Sequence, residues 1–273
     1  MDELLAFLKQ REWSCVGFTS RLLTRETTLE HVLVNRAGAD RSRIVESLLI
    51  TDQGLIIPVL DPKERNSELQ RKLLKELISS RGRRVHSVMG LRSEVGTVES
   101  VLAPRAAERI DYHLMTRDCS TVAAPTPDPP GMLIRRAGIV DLTALFPLQK
   151  SYEKEEVLLD PGAFNATSCL LHLQRSLRKE ITLVAELDAR IVAKAGTNAQ
   201  GLDYYQIGGV FTEPDYRNRG ISRKLLQALL WEIAGLQKHA CLFVKKQNEA
   251  AIHLYRSLGF QIRDDFSISY HRP

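Results

Sequence analysis

The chain has 273 residues, of which 44% are hydrophobic, 26% charged and 6% aromatic, a composition typical of a globular protein rather than a disordered or fibrous one. The formal net charge is +5, and because the basic excess is spread thinly, it argues weakly for an anionic ligand and against a nucleic-acid partner. The cysteines stand far apart and no apolar run approaches the ~20 residues of a membrane span, so we expect no metal or disulfide site and a soluble, cytoplasmic protein.

A proline-rich stretch divides the chain. Four prolines stand within residues 125–130, and proline removes backbone donors and forbids a regular helix or ladder. We therefore predict a first domain over 1–120, a linker over 121–131 and a second domain over 132–273.

The first domain is predicted to be a small α/β unit. Hydrophobic spacing and turn residues place its elements, in chain order, at 4–10 (helix), 44–50 and 54–59 (strands), 66–80 (helix), 85–89 (strand), 93–102 (helix) and 110–115 (strand). Asn66 or Ser67 is the expected cap of the longest helix, and Gly82 follows its end.

The second domain is also predicted to mix helices and strands. Its expected elements are a strand at 132–136, helices at 141–153 and 163–177, strands at 181–187, 190–197 and 203–211, a helix at 220–235, a strand at 240–244, a helix at 248–258, and closing strands at 260–263 and 267–271. The helix at 220–235 is the clearest, because its leucines and isoleucine recur at helical intervals.

The junction between the strand at 203–211 and the following helix is a predicted anion-binding site. The first amides of a helix have no internal partner, and the helix dipole favours negative charge there. Gly220 lets the backbone approach a bulky phosphate group, while Arg217 and Arg219 add positive charge. Since glycines often do no more than close turns, this pattern alone leaves a phosphate site and a simple turn equally open.

The residues 210–222 make the prediction more specific, because they resemble the acyl-CoA signature of the GNAT (GCN5-related) N-acetyltransferases. That signature has Arg or Gln, two residues, Gly, one residue, and then Gly or Ala. Arg217, Gly220 and Ser222 fill the three places, and Ser222 is a small departure that should slightly crowd a pyrophosphate while offering it a hydroxyl.

A second element downstream is similar to the same family. Residues 248–260 contain Asn248, an apolar stretch, Tyr255 and a Leu-Gly-Phe ending. Asn248 is positioned to cap a helix, and Tyr255 lies two turns further along the same face. Two motifs in the expected order imply a GNAT fold over about 132–271: a central mixed, mostly antiparallel sheet flanked by helices.

The resemblance also implies an activity, direct transfer of an acetyl group from acetyl-CoA, as co-substrate, to a primary amine. It places the pantetheine arm along Val210, Phe211, Thr212 and Asn248. It places the pyrophosphate on Arg217, Asn218, Arg219, Gly220, Ile221 and Ser222. Tyr255 matches the family's usual general acid, although a helix tyrosine of this kind can also simply pack.

A general base is harder to identify. Glu155 and Glu156 follow the first helix of the second domain, on the side that carries the acceptor in the family, and either carboxylate could accept the amine proton through water. A run of charges is also typical of a solvated helix end. His172 lies among leucines and is interpreted as a core residue.

Three questions stay open from the sequence. The first domain loosely resembles a degenerate GNAT domain but could equally be a helper of other ancestry. The second domain could be a non-catalytic acyl-CoA sensor or scaffold rather than an enzyme. The amine acceptor and the oligomeric state are not indicated, because fold does not choose among substrates.

Overall fold

The structure is a computed structural model that describes residues 1–24, 31–37, 43–61, 68–80, 84–102, 106 and 108–271. Its helices are α1 (Asp2–Lys9), α2 (Glu12–Leu23), α3 (Glu68–Ser80), α4 (Arg92–Glu99), α5 (Leu142–Tyr152), α6 (Ala166–Lys179), α7 (Ile221–Gly235) and α8 (Glu249–Ser257). Its strands are β1 (Val32–Ala37), β2 (Arg43–Ile50), β3 (Leu55–Leu60), β4 (Ser87–Leu91), β5 (Glu108–Arg117), β6 (Met132–Arg136), β7 (Thr182–Leu187), β8 (Arg190–Gln200), β9 (Tyr204–Thr212), β10 (His239–Lys245) and β11 (Gln261–Tyr270).

These elements form two compact units, each drawn from separate stretches of the chain. The first unit comprises Met1–Thr116, Phe243–His253 and Gln261–Pro273, and the second comprises Arg117–Leu242 and Leu254–Phe260. The proline-rich stretch 121–131 therefore lies inside the second unit, and the division also falls within β10 and within α8.

The first unit contains a sheet in the order β1-β2-β3-β4-β11-β5. β1, β2 and β3 are antiparallel neighbours, β3 pairs in parallel with β4, and β11 is antiparallel to both β4 and β5. Because successive side chains of a strand point to opposite faces, β2 and β3 supply two cores. One contains Leu8, Phe18, Leu49 and Ile57, and the other contains Leu48, Ile56, Leu74 and Val95.

Two elements of this unit were not predicted from the sequence. No element was predicted between residues 11 and 43, where α2 and β1 lie. α2 has no side-chain cap and has a non-helical φ of −137° at Cys15, so the usual start signal and an unbroken helical period are both lacking. The expected cap of α3 at Asn66 or Ser67, and Gly82 after its end, lie outside the described residues.

The closing segment also differs from expectation. The sequence predicted two strands, at 260–263 and 267–271, but the chain forms the single strand β11, with a register irregularity between Ile262 and Asp264. The polar residues that suggested a break are on the exposed part of this strand, where charged side chains do not interrupt pairing.

The second unit is built on the sheet order β10-β9-β8-β7-β6. Neighbours from β6 to β9 are antiparallel, whereas β10 pairs with β9 in parallel. A core of α5 and α6 residues with the sheet includes Leu145, Leu148, Leu173, Val184 and Phe211. The apolar stripe of α7 is buried as predicted, at Leu225, Leu226, Leu229, Leu230 and Ile233. The α/β fold with a mixed, mostly antiparallel sheet flanked by helices is confirmed.

The sheet opens where β9 leads into α7. The parallel pairing of β10 with β9 covers Tyr204 to Gln206, while β9 continues to Thr212. The second half of β9 and the turn after it are therefore the place where the structure can present backbone groups to a ligand.

The chain repeats one order of elements. β1, β2, β3, α3, β4, α4 and β5 follow one another as do β7, β8, β9, α7, β10, α8 and β11. In each series the first three strands are antiparallel and the next strand is parallel to the third. Among the described residues, no helix combines the length and hydropathy that a membrane crossing requires.

Candidate active site

The turn between β9 and α7 has the backbone of an anion-binding site. Asn218 and Gly220 have φ of +62° and +74°, in the left-handed region that favours glycine. Gly220 is the N-cap of α7, and no described side chain caps this helix, so the first amides, including those of Ile221 and Ser222, lack an internal partner. A Cβ added at Gly220 would meet no heavy atom within 4 Å. An anion can therefore approach these amides closely.

Arg217 spans this turn and is held by a carboxylate. Its Nε donates to the Thr212 carbonyl oxygen at 3.1 Å, and its guanidinium lies 5.3 Å from the centre of the Phe211 ring. Its Nη2 donates to both carboxylate oxygens of Glu155, at 2.7 and 2.9 Å. Glu155, which was predicted as a candidate base, is thus bonded to Arg217, which was predicted to bind phosphate.

The other predicted phosphate residues lie around the same turn. Arg219 Nη2 donates to the Asp215 carbonyl oxygen at 2.9 Å, and its guanidinium lies 5.2 Å from the Tyr216 ring centre. The Ser222 hydroxyl shares a 2.7 Å hydrogen bond with the Thr212 hydroxyl. The serine that departs from the family pattern is therefore engaged with the end of β9.

A β-bulge precedes this turn. In the β8/β9 register Phe211 is opposite Lys194 and Gly208 is opposite Gly196, so Gly209 and Val210 together face one residue, Ala195. Such a two-to-one arrangement locally bends a strand. Gly209 has a φ of +62°, as the extra residue of a glycine bulge does.

Two buried side chains hold Gly209. The Lys194 ammonium donates to the Gly209 carbonyl oxygen at 2.9 Å and lies 4.3 Å from the Tyr152 ring centre. The Tyr152 hydroxyl hydrogen-bonds the Gly209 backbone, while burial raises the pKa of Tyr152 to about 12. Burial lowers the pKa of Lys194 to about 8, although the Glu153 carboxylate opposes this shift.

The carboxylate beside Lys194 has polar partners of its own. Gln149 Nε2 donates to Glu153 Oε1 at 3.0 Å, and the Cys169 thiol hydrogen-bonds the Glu153 carboxylate. Burial, with this carboxylate, raises the pKa of Cys169 to about 12, so the thiol stays protonated. A cation, a carboxylate and a thiol are thus packed together behind the bulge.

Tyr255 lies near a second acidic group. Its side chain is 9% exposed, and burial raises its pKa well above the usual range, with further contributions from Tyr152 and the Glu156 carboxylate. Glu156 also raises the pKa of Tyr152. The structure therefore gathers Tyr255, Tyr152 and Glu156 in one neighbourhood, and Tyr255 stays a neutral phenol that can donate a proton.

Asn248 is the predicted cofactor residue that belongs to the first unit. Its Oδ1 accepts a hydrogen bond from the Ala251 N–H at 3.1 Å, so it caps α8 as the sequence indicated. The interpretation of His172 as a core residue was wrong: the side chain is exposed, because the apolar face of α6 is formed by Cys169, Leu173 and Leu177.

Three residues of the site, Lys194, Tyr152 and Glu153, were not predicted from the sequence. Lys194 did carry a signal, since it is the only charged residue between Ile191 and Gly196 in an otherwise apolar run, and a lysine is rarely fully buried unless its charge is paired. Tyr152 and Glu153 carried none, because they sit at the junction where α5 ends and the π-helical turn Glu153–Val157 begins.

The fold and the anion-binding turn define the second unit as an α/β domain of the GNAT type. Residues 178–262 match the model of the family described as "Acetyltransferase (GNAT) domain". Over this segment, which is less than a third of the chain, the sequence resembles the GNAT family.

Part of the chain also resembles an individual acyltransferase. The chain is 39% identical over 54 residues to the L-amino acid N-acyltransferase MnaT of Escherichia coli, a match that spans 19% of the chain and 31% of that relative. It thus spans less than a third of MnaT's own length.

Two solved structures resemble nearly the whole chain in fold. A Drosophila protein covers 99% of the chain, with 95% of its own length matched, at a TM-score of 0.69 and 16% identity. A tandem GNAT protein from the clavulanic acid biosynthesis pathway covers 94% of the chain, with 87% of its own length matched, at a TM-score of 0.56 and 14% identity.

Proposed function

We propose that this protein is an N-acyltransferase that binds an acyl-CoA, with acetyl-CoA as the expected donor, and transfers the acyl group directly to a primary amine. The observation that carries the proposal is the turn after β9. It combines an uncapped helix start, two left-handed residues and Arg217 in the spacing that the GNAT family uses for acyl-CoA.

The donor would lie along the second half of β9 and the start of α7. The backbone N–H groups that follow Gly220 would donate hydrogen bonds to the diphosphate, and Arg217 and Arg219 would neutralise its charge. Val210, Phe211 and Thr212 would line the pantetheine arm, since the pairing of β9 with β10 covers only Tyr204 to Gln206. Asn248 is assigned to the pantetheine by family resemblance.

The chemistry assigned to the residues is one addition and one elimination. The neutral amine attacks the thioester carbonyl carbon, the C–S bond breaks, and the thiolate takes a proton from Tyr255. Glu156 accepts the proton lost by the amine, through water. Glu156 is favoured over Glu155 as the base, because Glu155 is paired with Arg217 and Glu156 lies close enough to Tyr255 to raise its pKa.

The alternative is an acyl-CoA sensor or scaffold without chemistry. It would bind the donor through the same turn but would not depend on the side chains of Tyr255 and Glu156. Turnover that is unaffected in Tyr255→Phe and Glu156→Gln variants would remove these two residues from the mechanism. A protein that binds acyl-CoA and releases no thiol with any amine would support the sensor.

The acceptor is proposed to carry an α-amino group. The support is the name of the relative MnaT, an L-amino acid N-acyltransferase, which is 39% identical to the chain over 54 residues. A panel of L-amino acids is therefore the first set of acceptors to test, followed by peptides, polyamines and lysine side chains.

The first unit is proposed to be a degenerate GNAT-like domain that binds no acyl-CoA. Its support is the repeated order of elements, together with the fold likeness to a tandem GNAT protein. This part of the proposal expects one acyl-CoA bound per chain.

Calorimetric titration with acetyl-CoA tests these proposals together. Gly220→Glu places a side chain and a negative charge at the helix start and should abolish binding. Gly235→Glu is the matched control, because it adds the same group at the other end of α7, where a Cβ also meets nothing within 4 Å, and should bind normally. Absence of binding by the unmodified protein would overturn both the enzyme and the sensor.

A further inference from the structure

The strongest unassigned feature of the second unit is the pair of buried side chains that hold Gly209. Tyr152 and Lys194, which we call the Gly209 clamp, contact the two sides of this residue: the Tyr152 hydroxyl bonds its backbone, and the Lys194 Nζ bonds its carbonyl oxygen. The two side chains also touch each other, with the ammonium over the aromatic ring at 4.3 Å. Gly209 is thus fixed by contacts from α5 and from β8.

Side chains of β8 lie close to both glycines of the bulge. A Cβ on Gly209 would lie 2.9 Å from the Lys194 Nζ, and a Cβ on Gly208 would lie 1.9 Å from the Asn198 Nδ2. Both glycines are therefore closely packed by β8 side chains, and the positive φ of Gly209 keeps the two-to-one register of the bulge.

A buried ammonium ion is costly unless it is compensated. Lys194 is 6% exposed, and its compensation is the Gly209 carbonyl, the face of the Tyr152 ring and the nearby Glu153 carboxylate. Retaining a charge here is not needed to fill the core, since a methionine or leucine would do so without the desolvation cost. We therefore expect the Lys194 ammonium to do more than fill the core.

We propose that Lys194, together with Tyr152, is a positioning residue that fixes and polarises the Gly209–Val210 peptide so that its N–H stabilises the acyl carbonyl of the donor. This inference rests on the proposed function, which places the thioester along Val210.

The Lys194 contact to the Gly209 carbonyl affects the Val210 N–H because both groups belong to the same peptide unit. The carbonyl of Gly209 and the N–H of Val210 belong to one planar trans peptide, so they point in opposite directions. A cation on the carbonyl oxygen holds the plane and draws electron density from the N–H, which makes that N–H a better donor. When the amine attacks, the acyl oxygen gains negative charge, and a fixed donor is worth most at that moment.

The ionisation of Lys194 makes the proposed polarisation of the peptide dependent on pH. The titratable groups that face its ammonium are Glu153 from the turn after α5, Cys169 from α6 and Tyr152 from α5. The thiol and the phenol stay protonated, since both have a raised pKa. With its own pKa lowered to about 8, Lys194 loses its charge as the pH rises through 8, and the polarisation weakens in that direction.

A titration without any ligand tests the contact itself. In protein labelled with ¹⁵N glycine and ¹⁵N valine, we expect the Gly209 and Val210 amides to shift with a midpoint near pH 8, and to lose that transition in Lys194→Met. Lys179→Met, which removes an exposed lysine at the end of α6, is the control and should keep it. The contact is overturned if these amides show no transition over the pH range in which Lys194 loses its proton, or if the transition persists in Lys194→Met.

A pair of binding measurements tests the role. Lys194→Met should retain affinity for CoA, which lacks the acyl group, while losing about tenfold in its preference for acetyl-CoA over CoA. Equal losses for both ligands, or none, would overturn the positioning role. If the unmodified protein binds neither ligand, the proposed function fails, and the amide titration still decides whether Lys194 controls the Gly209–Val210 peptide.

Kinetics separate positioning from packing. Lys194→Met should lower kcat about 10- to 100-fold with a small change in the KM for acetyl-CoA. In Lys194→Arg, whose guanidinium stays charged, the decline in kcat that the wild type shows above pH 8 should disappear. A variant that melts at the wild-type temperature but keeps wild-type kcat would overturn the proposal. If Lys194→Arg does not fold, the wild-type amide titration remains the deciding measurement.

Discussion

At the scale of single residues, Arg217 has two competing partners. Its guanidinium is expected to bind a diphosphate, but in the structure it is paired with the Glu155 carboxylate. Both side chains of this ion pair are partly exposed, at 40% and 43%, and exposed ion pairs contribute little to stability. A diphosphate with more charge and several helix amides around it can displace Glu155 at small cost. Glu155 is therefore better interpreted as a carboxylate that competes with the diphosphate for Arg217 than as a base.

Replacing Glu155 distinguishes these roles. Glu155→Gln should tighten CoA binding by about two- to fivefold, because the competing carboxylate is removed. Calorimetry at two salt concentrations measures this effect, which should shrink at high salt. Glu232→Gln is the control, since it breaks an exposed ion pair with Arg136 at 2.8 Å and should leave CoA affinity unchanged. A large loss of turnover in Glu155→Gln would restore the base role.

Tyr255 gives a second prediction at this scale. Tyr255→Phe should lower kcat about 100-fold with little change in CoA affinity, because the leaving thiolate loses its proton donor while the phosphate turn is intact. The raised pKa of Tyr255 means that its proton is present throughout the range of an ordinary assay. The alkaline decline of kcat should therefore have the same midpoint, near pH 8, for Tyr255→Phe and for the wild type. Rates of thiol release measured at a series of pH values would test this.

At the scale of elements, the β8/β9 bulge depends on Gly209. Gly209→Ala forces alanine into a positive φ and brings its Cβ to 2.9 Å from the Lys194 Nζ, so we expect a loss of about 1–3 kcal/mol in stability. A fall of several degrees in melting temperature would report it.

A glycine in ordinary helical backbone supplies the matched control for that change. Gly96 lies in α4, and a Cβ there meets nothing within 4 Å. Gly96→Ala should raise the melting temperature, since alanine favours the helix by about 0.5–1 kcal/mol. If both variants lower it equally, the strain assigned to the bulge is wrong.

The elements that the sequence predicted well are those whose pattern is local. The period of α7 and its glycine start were readable from residues 220–235, as was the turn that carries Arg217, because helix, cap and turn signals lie within a few residues of one another. α2 was missed because its period is interrupted at Cys15. The clamp was missed because Tyr152, Lys194 and Gly209 meet from three separate elements, and no single-sequence pattern encodes such a meeting.

At the scale of the whole molecule, the same limit applies to the strand partners of β11. Its sequence predicts strand structure, but nothing in it indicates pairing with β4 and β5, which precede it by more than a hundred residues. The proline-rich stretch was the strongest local break, yet the two compact units are divided by these long-range pairings rather than at the linker. The assignment of β11 to the first unit can be tested directly.

Phe266 anchors β11 in that unit. Its ring is 3% exposed, it clusters with Leu91, Tyr112 and Leu114, and it stacks on Phe243 with ring centres 4.6 Å apart. Phe266→Ala should remove about 3–5 kcal/mol of stability, because it deletes a fully buried aromatic group and leaves a cavity.

The fluorescence of the chain's two tryptophans can show which unit loses stability. Trp13 is in the first unit and lies 5.3 Å from the Arg263 guanidinium on β11, whereas Trp231 is in α7 of the second unit. In a Trp231→Phe background, Trp13 fluorescence should show a denaturation midpoint that Phe266→Ala lowers, because β11 stabilises the elements around Trp13. In a Trp13→Phe background, the Trp231 transition serves as the comparison. If Phe266→Ala moves only the Trp231 transition, β11 stabilises the second unit instead, and the division of the chain drawn from its strand pairing is wrong.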